Sequence, residues 1–498
     1  MTLPFFYIIL VLRIYGIFGE FMQFPQWVLD FKKKGTEIRF LNNYYYLYEI
    51  SSHYDKEKKR AVKKTGKFLG KITQDGIVPP KTDRLKANLK NLSVKEYGAS
   101  QLIYNMNKDI VSSLKQFFPY NWKELFSIAL LRLIYQSHLR YLESYYTTSY
   151  ISELIPDAKL KEKSITAMLK QVGTQRQAIV DFFKGFVAGT DIALVDVTSI
   201  LSNSENMSIN QLGYNNKKIY DPQVNLLFMF SQDKQMPVYY RILPGNVREI
   251  SAFKLSIEES GIDNAMIITD KGFYSEDNVI AIEKEKLNFI IPLRRNLSII
   301  DYNKIAKGDK SKFDGFFMFE NRPVWYYSYI VDNKKMFIFL DEHLKSSEES
   351  DYLLRMTNEK EGYSKDDFFL KQYRFGTIAV LSNLVNESDE KIYQYLKSRM
   401  EIETLFDTLK NNLHADRSYM RGAIELETWM FINYLSLIFY YRIYHNLVKE
   451  EKIKKYSPQG VLLYMSLIKK ILIDNEWKIA EIPKKSKEFI DLFGMHIT

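Results

Sequence analysis

The stretch IALVDVTSI (residues 192–200) is a run of apolar and β-branched residues that contains one carboxylate, Asp196. Runs of this length and composition are typical of buried β-strands. Similar runs follow along the chain, with a helix pattern (EISAFKLSIEES) between the third and the fourth. They are VNLLFMFS (224–231), MPVYYRIL (236–243) and AMIIT (265–269). This order predicts three strands, a helix and a fourth strand of a mixed sheet, and so an α/β fold.

The regions on either side of these runs have different patterns. Residues 36–50 alternate in polarity around an Asn-Asn pair, which predicts a β-hairpin, and residues 95–185 have helical periodicity. Residues 296–375 contain FFMF, VWYYSYIV and KKMFIFL around an Asp-Asn turn, which predicts a separate antiparallel β segment. GTIAVLSNL (376–384) resumes the buried-strand pattern. The apolar tract 429–447 is interrupted by polar groups and is interpreted as a buried helix.

Charge and composition limit the possible functions. The 498-residue chain has a net charge of +10, six His and no Cys. The absence of Cys excludes disulfides and thiolate metal sites. Residues 55–90 hold twelve Lys or Arg against four Asp or Glu. This basic tract is either a solvated surface or a binding surface for a polyanion such as nucleic acid.

The segment SRMEIETLFDTLK (398–410) predicts an amphipathic helix with a charged stripe beside its buried face. At 100° per residue Arg399, Glu403 and Lys410 fall close together, whereas Glu401 points toward water. The structural interpretation of the stripe is a surface Arg-Glu pair of small energetic value. The alternative is that Glu403 takes part in a site with carboxylates from elsewhere in the chain.

Two further carboxylates occupy positions where an ionised group is costly unless it is paired or bound to a cation. Asp196 interrupts an apolar strand, and Asp270 lies where the strand pattern of MIIT ends. Each has a structural interpretation, as a loop cap or as the partner of a Lys. Together with Glu403, they are able to converge at one edge of a mixed sheet and hold two divalent ions.

The motifs DVTS at Asp196, TDKGFYS at Asp270 and RMEIETLFDTLK (399–410), with the segment from LGY to PGN (212–246), resemble the DDE transposases of bacterial and archaeal insertion sequences. The resembling subgroup has a Tyr-Arg-Glu-Lys signature and a β-rich insertion before its catalytic Glu. The resemblance covers about residues 22–490. It implies a ribonuclease-H-like fold and two Mg²⁺ ions, with Mn²⁺ as an alternative, for cutting and rejoining DNA at the ends of a mobile element.

The resemblance also assigns residue roles. Asp196, Asp270 and Glu403 match the catalytic and metal-binding triad, and Arg399 and Lys410 match the signature Arg and Lys. The signature Tyr has no match, because Leu396 stands three residues before Arg399 and Tyr395 one place earlier. The residues expected to bind nucleic acid are Arg399, Lys410, Tyr395, Lys58, Lys59, Arg60, Lys63 and Lys64.

These expectations divide the chain into six segments. Residues 1–21 are interpreted as an upstream extension, with a small docking helix as the alternative. Residues 22–185 are expected to form an N-terminal DNA-binding region of hairpin, basic tract and helices. The ribonuclease-H-like domain is expected in two parts, 186–295 and 376–450, with the β-rich insertion 296–375 between them. Residues 451–498 are expected to form a C-terminal helical region.

The expected partners are double-stranded DNA, at element ends and target, and a second copy of the chain in a homodimer assembled on DNA. No membrane association is expected, and the expected location is the cytoplasm, with the nucleoid. Two alternatives remain open: a metal-dependent nuclease without strand transfer, and a DNA-binding relative that has lost catalysis. The same three carboxylates serve transfer and hydrolysis alike, so sequence does not separate the first alternative from a transposase.

Overall fold

The computed structural model describes residues 24–83, 92–214, 220–246, 249–306, 308–473 and 475–497. The predicted upstream extension, residues 1–21, lies outside them. The chain divides into two compact units, one of Met1–Val94 with Ile471–Lys478 and one of Lys95–Lys470 with Ile479–Thr498. This division differs from the predicted boundary at 185/186. The helices after residue 95 share one continuous core with the central sheet, so they belong to its unit.

The first unit is built on a four-stranded antiparallel sheet with strand order β1-β2-β3-β4. A short helix contributes Val28 to a small core with Ile38, Leu47 and Ile72. The turn between the first two strands is Asn42-Asn43, with φ of 46° and 64°, the left-handed conformation that two-residue hairpin turns need. The predicted hairpin is therefore confirmed. Its elements are α1 (Gln26–Leu29), β1 (Thr36–Leu41), β2 (Tyr44–Asp55), β3 (Arg60–Thr73) and β4 (Gly76–Val78).

The second unit contains most of the helices, and the first of them lie in the region 95–185 that the helical pattern predicts. In chain order they are α2 (Gly98–Met106), α3 (Lys108–Phe117), α4 (Trp122–Tyr135), α5 (Leu142–Thr148), α6 (Ile151–Leu154), α7 (Glu162–Gly173), α8 (Arg176–Val187), α9 (Glu249–Ser260), α10 (Glu276–Lys284), α11 (Asn303–Ala306), α12 (Glu342–Thr357), α13 (Lys365–Lys371), α14 (Asp389–Ser398), α15 (Met400–Asp407), α16 (Ala423–Lys449), α17 (Pro458–Ser466) and α18 (Lys484–Leu492). Helix α16 is buried along most of its length, as the apolar tract predicts. Among the described residues, no helix is both long and apolar enough to cross a membrane.

A large mixed sheet forms the centre of this unit. Its strands are β6 (Ile192–Ser202), β7 (Gln211–Tyr214), β8 (Tyr220–Ser231), β9 (Met236–Pro244), β10 (Met266–Ile268), β11 (Asn288–Leu293), β12 (Gly315–Phe319), β13 (Arg322–Val331), β14 (Lys334–Asp341), β15 (Thr377–Ser382) and β16 (Arg417–Ser418). The order is β12-β13-β14-β15-β11-β10-β6-β8-β7, with β9 on β8 and β16 on β6. Strand β10 runs parallel to both neighbours, and β6 runs antiparallel to β8. The predicted α/β fold with a mixed sheet is confirmed.

The β-rich segment after residue 296 differs from the expectation of a separate sheet. Strand β14 pairs with β15 over Lys335↔Ser382 to Leu340↔Thr377, so β12, β13 and β14 extend the central sheet at its edge. The reason lies in the burial of β14, where Phe337 and Phe339 are inaccessible to solvent and join the main core. A strand buried in this way needs partners for its backbone on both sides.

The sequence predicted a helical C-terminal region, and the structure shows that this region also contains strands. Between α17 and α18 lie two short strands, β17 (Lys469–Ile473) and β18 (Glu476–Ile479), which fall with β5 (Ser93–Glu96) at the division between the units. The sequences KKILI and EWKI flank Asn475, whose φ is 63°. Apolar and β-branched residues around a left-handed Asn are typical of a hairpin, a signal that the sequence interpretation missed.

The buried carboxylate of Glu96 makes the stability of the second unit depend on pH. Glu96 is 3% exposed, and its carboxylate accepts the Ala99 amide at 2.7 Å and the Ser100 hydroxyl at 2.5 Å. Burial raises the pKa of Glu96 from its ordinary 4.5 to about 7, against the opposing charge of Lys469. An unfolded chain therefore loses this proton at lower pH than the folded one, so stability falls as pH rises from about 4.5 to about 7.

We expect Glu96→Gln to remove this dependence. The Gln side chain stays neutral at every pH and keeps an oxygen for the Ala99 amide. Between pH 5 and pH 8, the free energy of unfolding of the variant should therefore fall by about 2 kcal/mol less than that of wild type. Denaturant unfolding at both pH values measures the difference. Parallel pH profiles for the two proteins would show that Glu96 does not titrate in this range.

Candidate active site

Asp196 lies in the middle of β6, directly opposite Phe228 on β8. The strand is held on both sides, so the position of the carboxylate is fixed by the sheet itself. Its side chain is 13% exposed. One carboxylate oxygen, Oδ1, accepts the amide of Val197 at 2.7 Å. The other oxygen faces the helix that follows β15.

Asp270 reaches the same level of the sheet because of the strand register. Strand β10 pairs with β6 in parallel, with Ile268 opposite Leu194. Two residues further along each chain are Asp270 and Asp196. Side chains two residues apart on a strand point to the same face, so this register brings the two carboxylates together. Asp270 is more open than Asp196, with 37% of its side chain exposed.

Arg399 lies at the junction of α14 and α15, and Glu403 follows it by one turn of α15. Helix α15 packs its apolar residues Ile402 and Leu405 into the core beside β6, and Phe406 meets Phe228 with ring centroids 6.0 Å apart. This packing places Arg399 and Glu403 beside Asp196 and Asp270. The structure therefore brings together the three acids that the sequence analysis expected to converge.

The guanidinium of Arg399 bridges all three acids. Its Nη2 donates to Asp196 Oδ2 at 2.6 Å, and its Nη1 lies 3.2 Å from Asp270 Oδ1 and 3.9 Å from Glu403 Oε1. The side chain of Arg399 is 16% exposed, and its Nε is buried with no hydrogen-bond partner among the described residues. Arg399 therefore does more than form the surface pair with Glu403 that the structural interpretation required.

Burial and charge act in opposite directions on this cluster. Burial raises the pKa of Asp196, the positive charge of Arg399 lowers it, and the net result is a raised pKa. Burial also opposes the charge of Arg399, but the carboxylates of Asp196 and Asp270 outweigh that effect and raise the pKa of the guanidinium. Arg399 thus supplies the compensation that a buried carboxylate needs.

The helix faces differ from the prediction. Glu401, expected to point toward water, is half-buried, and its Oε2 has no hydrogen-bond partner among the described residues. Burial raises the pKa of Glu401, and its charge acts on Tyr441 of α16. Glu403 is the more open of the two, with a side chain 62% exposed. Tyr441 of α16 lies near enough to this side of α15 for the Glu401 charge to act on it, so this side is not simply left to solvent as in a lone amphipathic helix.

The end of the helix also departs from the regular α-helix on which the predicted stripe depends. Residues Thr408–Asn412 form a π-helical turn, in which the Leu413 amide donates to the Thr408 carbonyl at 3.1 Å. A π turn changes the angular step per residue, so the 100° spacing that places Lys410 in the stripe does not hold over this turn.

The two residues considered for the signature Tyr lie in different surroundings. Tyr395 is partly buried against the core on α14. Leu396, three residues before Arg399, lines the cleft beside the acids. The residue at the signature position therefore offers an aliphatic surface where the family pattern has a phenol.

The five predicted basic residues of the tract lie in the first unit, around the hairpin of β2 and β3. Lys63 pairs with Glu37 at 2.5 Å, and Lys58 lies 3.8 Å from Asp55. Lys59, Arg60 and Lys64 are exposed and have no ion-pair partner in the described part of the chain.

A cleft of about 610 Å³ opens beside Asp270, Arg399 and Glu403. It contains basic residues that the sequence analysis did not select. Lys271 and Arg294 are exposed, and burial lowers the pKa of Lys397. Lys271 directly follows Asp270 in TDKG, and Arg294 directly follows β11. The sequence signal that could have identified both residues is their position just after a strand. These cations give an acidic centre a basic rim, an arrangement suited to a phosphodiester.

The chemistry of the donor set fits a hard divalent cation. The three acids supply only carboxylate oxygens, the ligands that Mg²⁺ and Mn²⁺ prefer. Among the described residues, no group of three or more His, Cys, Asp or Glu is arranged to hold a metal ion, and the guanidinium of Arg399 lies within 4 Å of all three acids. The carboxylates are thus suitable ligands whose present partner is Arg399, and metal binding requires that partner to move.

Comparison with known proteins gives the following matches. The family described as the transposase DDE domain matches residues 188–439, a range that includes every acid of the cluster. No curated protein matches the sequence. The cryo-EM structure of the piggyBac transposase synaptic complex with hairpin DNA is similar at 12% identity and a TM-score of 0.38, covering 74% of this chain and 78% of that chain. The Mos1 transposase paired-end complex with left transposon end is similar at 12% identity and a TM-score of 0.14, covering 33% of this chain and 56% of that chain.

Proposed function

Since the chain belongs to the transposase DDE domain family, we propose that it cuts DNA at the ends of a mobile element and joins those ends to a target. The observation that carries this proposal is the convergence of Asp196, Asp270 and Glu403 within 4 Å of one guanidinium. Three acids from a central strand, a strand end and a helix meet beside a cleft with basic walls. A structural ion pair needs only one of them.

We assign the three carboxylates as ligands for two Mg²⁺ ions, with Mn²⁺ as the alternative. When bound, such ions polarise the phosphorus–oxygen bonds and stabilise charge on the attacking and leaving oxygens. The carboxylates keep these positions because the sheet register and the packing of α15 fix their backbones. The ribonuclease-H-like character of this sheet belongs to the same proposal.

The proposal gives Arg399 two successive partners. Without DNA, its guanidinium compensates the carboxylates of Asp196 and Asp270. With cations on the carboxylates, that compensation is no longer needed, and the planar guanidinium is free to bind a DNA phosphate through two parallel hydrogen bonds. We assign Lys410 to a second phosphate, which its ammonium would bind as a point charge. We assign Tyr395 to bind DNA from its position on α14.

The proposed partners are duplex DNA, at element ends and target, and a second copy of the chain in a homodimer assembled on that DNA. The proposed origin is a bacterial or archaeal insertion sequence, and the proposed location is the cytoplasm, with the nucleoid. Support for the subgroup comes from the quoted motifs and from the β-rich strands β12 to β14 between β11 and α15. Hydrolysis without strand transfer remains the competing activity, because the same acids serve both reactions.

A strand-transfer assay separates these activities. The substrate is a labelled duplex with a 3′-hydroxyl at its end, taken from the DNA that flanks the coding region, and supercoiled plasmid is the target. A transposase joins the labelled end to the plasmid in the presence of Mg²⁺ or Mn²⁺. Cleavage without joined product would favour the nuclease, and divalent-independent binding without cleavage would favour a relative that has lost catalysis.

The basic tract gives a separate expectation. We expect the exposed cations Lys58, Lys59 and Lys64 to contact phosphates, while Lys63 must first give up Glu37. Replacing these three by Ala should reduce the slope of log K against log salt by about 0.9 for each lost contact. Fluorescence anisotropy at a series of salt concentrations measures the slope. An unchanged slope would show that the tract is only a solvated surface.

A further inference from the structure

The hairpin of β2 and β3 extends well beyond the rest of its sheet. Strand β1 pairs with β2 only as far as Thr36↔Glu49, and β4 pairs with β3 only from Lys71 onward. Residues 50–55 and 60–65 pair with each other and, within the described part of the chain, with no third strand; at the base of this segment the Ile50 amide donates to the Gly35 carbonyl at 2.8 Å. At about 3.3 Å per residue, this two-stranded arm is about 20 Å long.

Apart from contacts near its base, where Glu37 pairs with Lys63 and Arg39 donates to Thr65, the arm is held among the described residues mainly by its own backbone pairing. Residues 51–54, 56–61 and 63–65 are exposed, including Tyr54 at 64%. An isolated two-stranded hairpin is marginally stable in water, and independent stability normally needs further strands or a packed face. A long arm without such a face is better explained by a partner that it binds than by the fold of its own unit.

The tip of the arm is built to present cations. The Asp55 carboxylate accepts the amides of Glu57 at 3.0 Å and Lys58 at 3.1 Å, and Lys59 has φ of 49°, which closes the turn. Residues 50–65 contain six Lys or Arg and two Asp or Glu. These residues therefore keep a net charge of +4, six cations less two acids.

The two faces of the arm differ in chemistry. Cross-strand partners share a face, and one face carries the pairs Ser51↔Lys64, His53↔Val62 and Asp55↔Arg60. The opposite face carries the pairs Ile50↔Thr65, Ser52↔Lys63 and Tyr54↔Ala61. On that opposite face Lys63 pairs with Glu37, and Thr65 accepts a hydrogen bond from Arg39 at 2.6 Å. The first face, called here the Arg60 face, therefore has the more available cations and donors.

We propose that this arm enters the major groove of duplex DNA with its Arg60 face toward the base pairs. The inference rests on the proposed function and specifies how the basic tract meets DNA. A two-stranded ribbon fits the major groove, which is about 12 Å wide. Arg60 and Lys64 match a polyanion in charge, and Arg60 has the fork that recognises guanine O6 and N7. The scarcity of apolar residues on this face, where Val62 is the aliphatic one, argues against a membrane surface.

The test measures binding of the full chain to a fluorescein-labelled duplex from the DNA that flanks the coding region, without divalent ions so that no cleavage occurs. Arg60→Ala and Lys64→Ala should each weaken binding by about tenfold, and Lys64→Ala should also lower the salt slope by about 0.9 through loss of a phosphate contact. Lys34→Ala is the matched control, because it removes an exposed cation of the same unit outside the arm with the same charge change, and it should alter affinity by less than about twofold.

A second measurement places the arm in a groove. Methylation of guanine N7, which lies in the major groove, should interfere with binding of wild type, and the interference should disappear at one position for Arg60→Ala. Equal effects of all three variants, or no N7 interference, would overturn the groove assignment. A change of oligomeric state with unchanged DNA affinity would mean that the arm contacts a second copy. If wild type binds no duplex at all, the proposed function fails together with the arm.

Discussion

Alanine at Asp196, Asp270 or Glu403 is expected to lower single-turnover cleavage of an element-end duplex by roughly a thousandfold or more. Metal ions contribute several kcal/mol of transition-state stabilisation, and each carboxylate lost weakens their binding. Duplex affinity measured without divalent ions should stay close to that of wild type, because these acids repel phosphates rather than bind them. The fold should also survive, since Asp270 and Glu403 are substantially exposed.

Two controls make this expectation specific. Glu390→Ala removes an exposed carboxylate from α14, where its only hydrogen bond in the described part of the chain is from Gln394 at 3.3 Å, and should leave cleavage unchanged. Asp196→Asn keeps the shape of the buried side chain and should be as inactive as Asp196→Ala. Full Mg²⁺-dependent activity in any variant of the three acids would remove that residue from the site.

The second large effect is expected at Arg399. Arg399→Lys keeps the charge but loses the planar fork that reaches Asp196, Asp270 and Glu403 at once, so cleavage or joining should fall by roughly tenfold to a hundredfold. Lys410→Ala should reduce cleavage similarly by loss of a phosphate contact. Single-turnover rates for both variants, with Glu390→Ala as control, measure these losses.

The pKa of Asp196 offers an independent readout for the same residue. Without a guanidinium to offset burial, Arg399→Ala should raise the pKa of this carboxyl further, so its titration, followed by NMR without divalent ions or DNA, should move to higher pH. Arg399→Lys should move it less, because a positive charge remains. Wild-type rates for Arg399→Lys would return Arg399 to a structural role in compensating the buried acid.

The local patterns predicted much of the architecture. The runs around Asp196 and Asp270 became neighbouring strands because apolar, β-branched segments must pair their backbones when buried. The sequence also identified the three acids that the fold brings together. Hydrophobic periodicity and the cost of burying a carboxylate were sufficient for those inferences, since both depend on short segments.

The parts that sequence did not predict depend on contacts between distant segments. The pairing of β14 with β15 and the partial burial of Glu401 depend on contacts between distant segments, and local hydrophobic periodicity does not encode such contacts. The π-helical turn at Thr408–Asn412 breaks the regular 100° spacing around Lys410, although the sequence pattern there is an ordinary helical one. The bridging of all three acids by Arg399 was likewise invisible, because a helix considered alone supplies only its i,i+4 partner, Glu403.

The most direct test of the central claim is to map the metal site by iron-mediated cleavage of the polypeptide. Fe²⁺ replaces Mg²⁺ in the DNA-bound protein, and ascorbate with peroxide generates radicals that cut the backbone close to the ion. The account predicts fragments ending near Asp196, Asp270 and Glu403, suppressed by excess Mg²⁺ and absent when any two of these acids are alanine. Fragments that map elsewhere, or the same fragments from the alanine variants, would contradict the assignment of these carboxylates as the metal ligands.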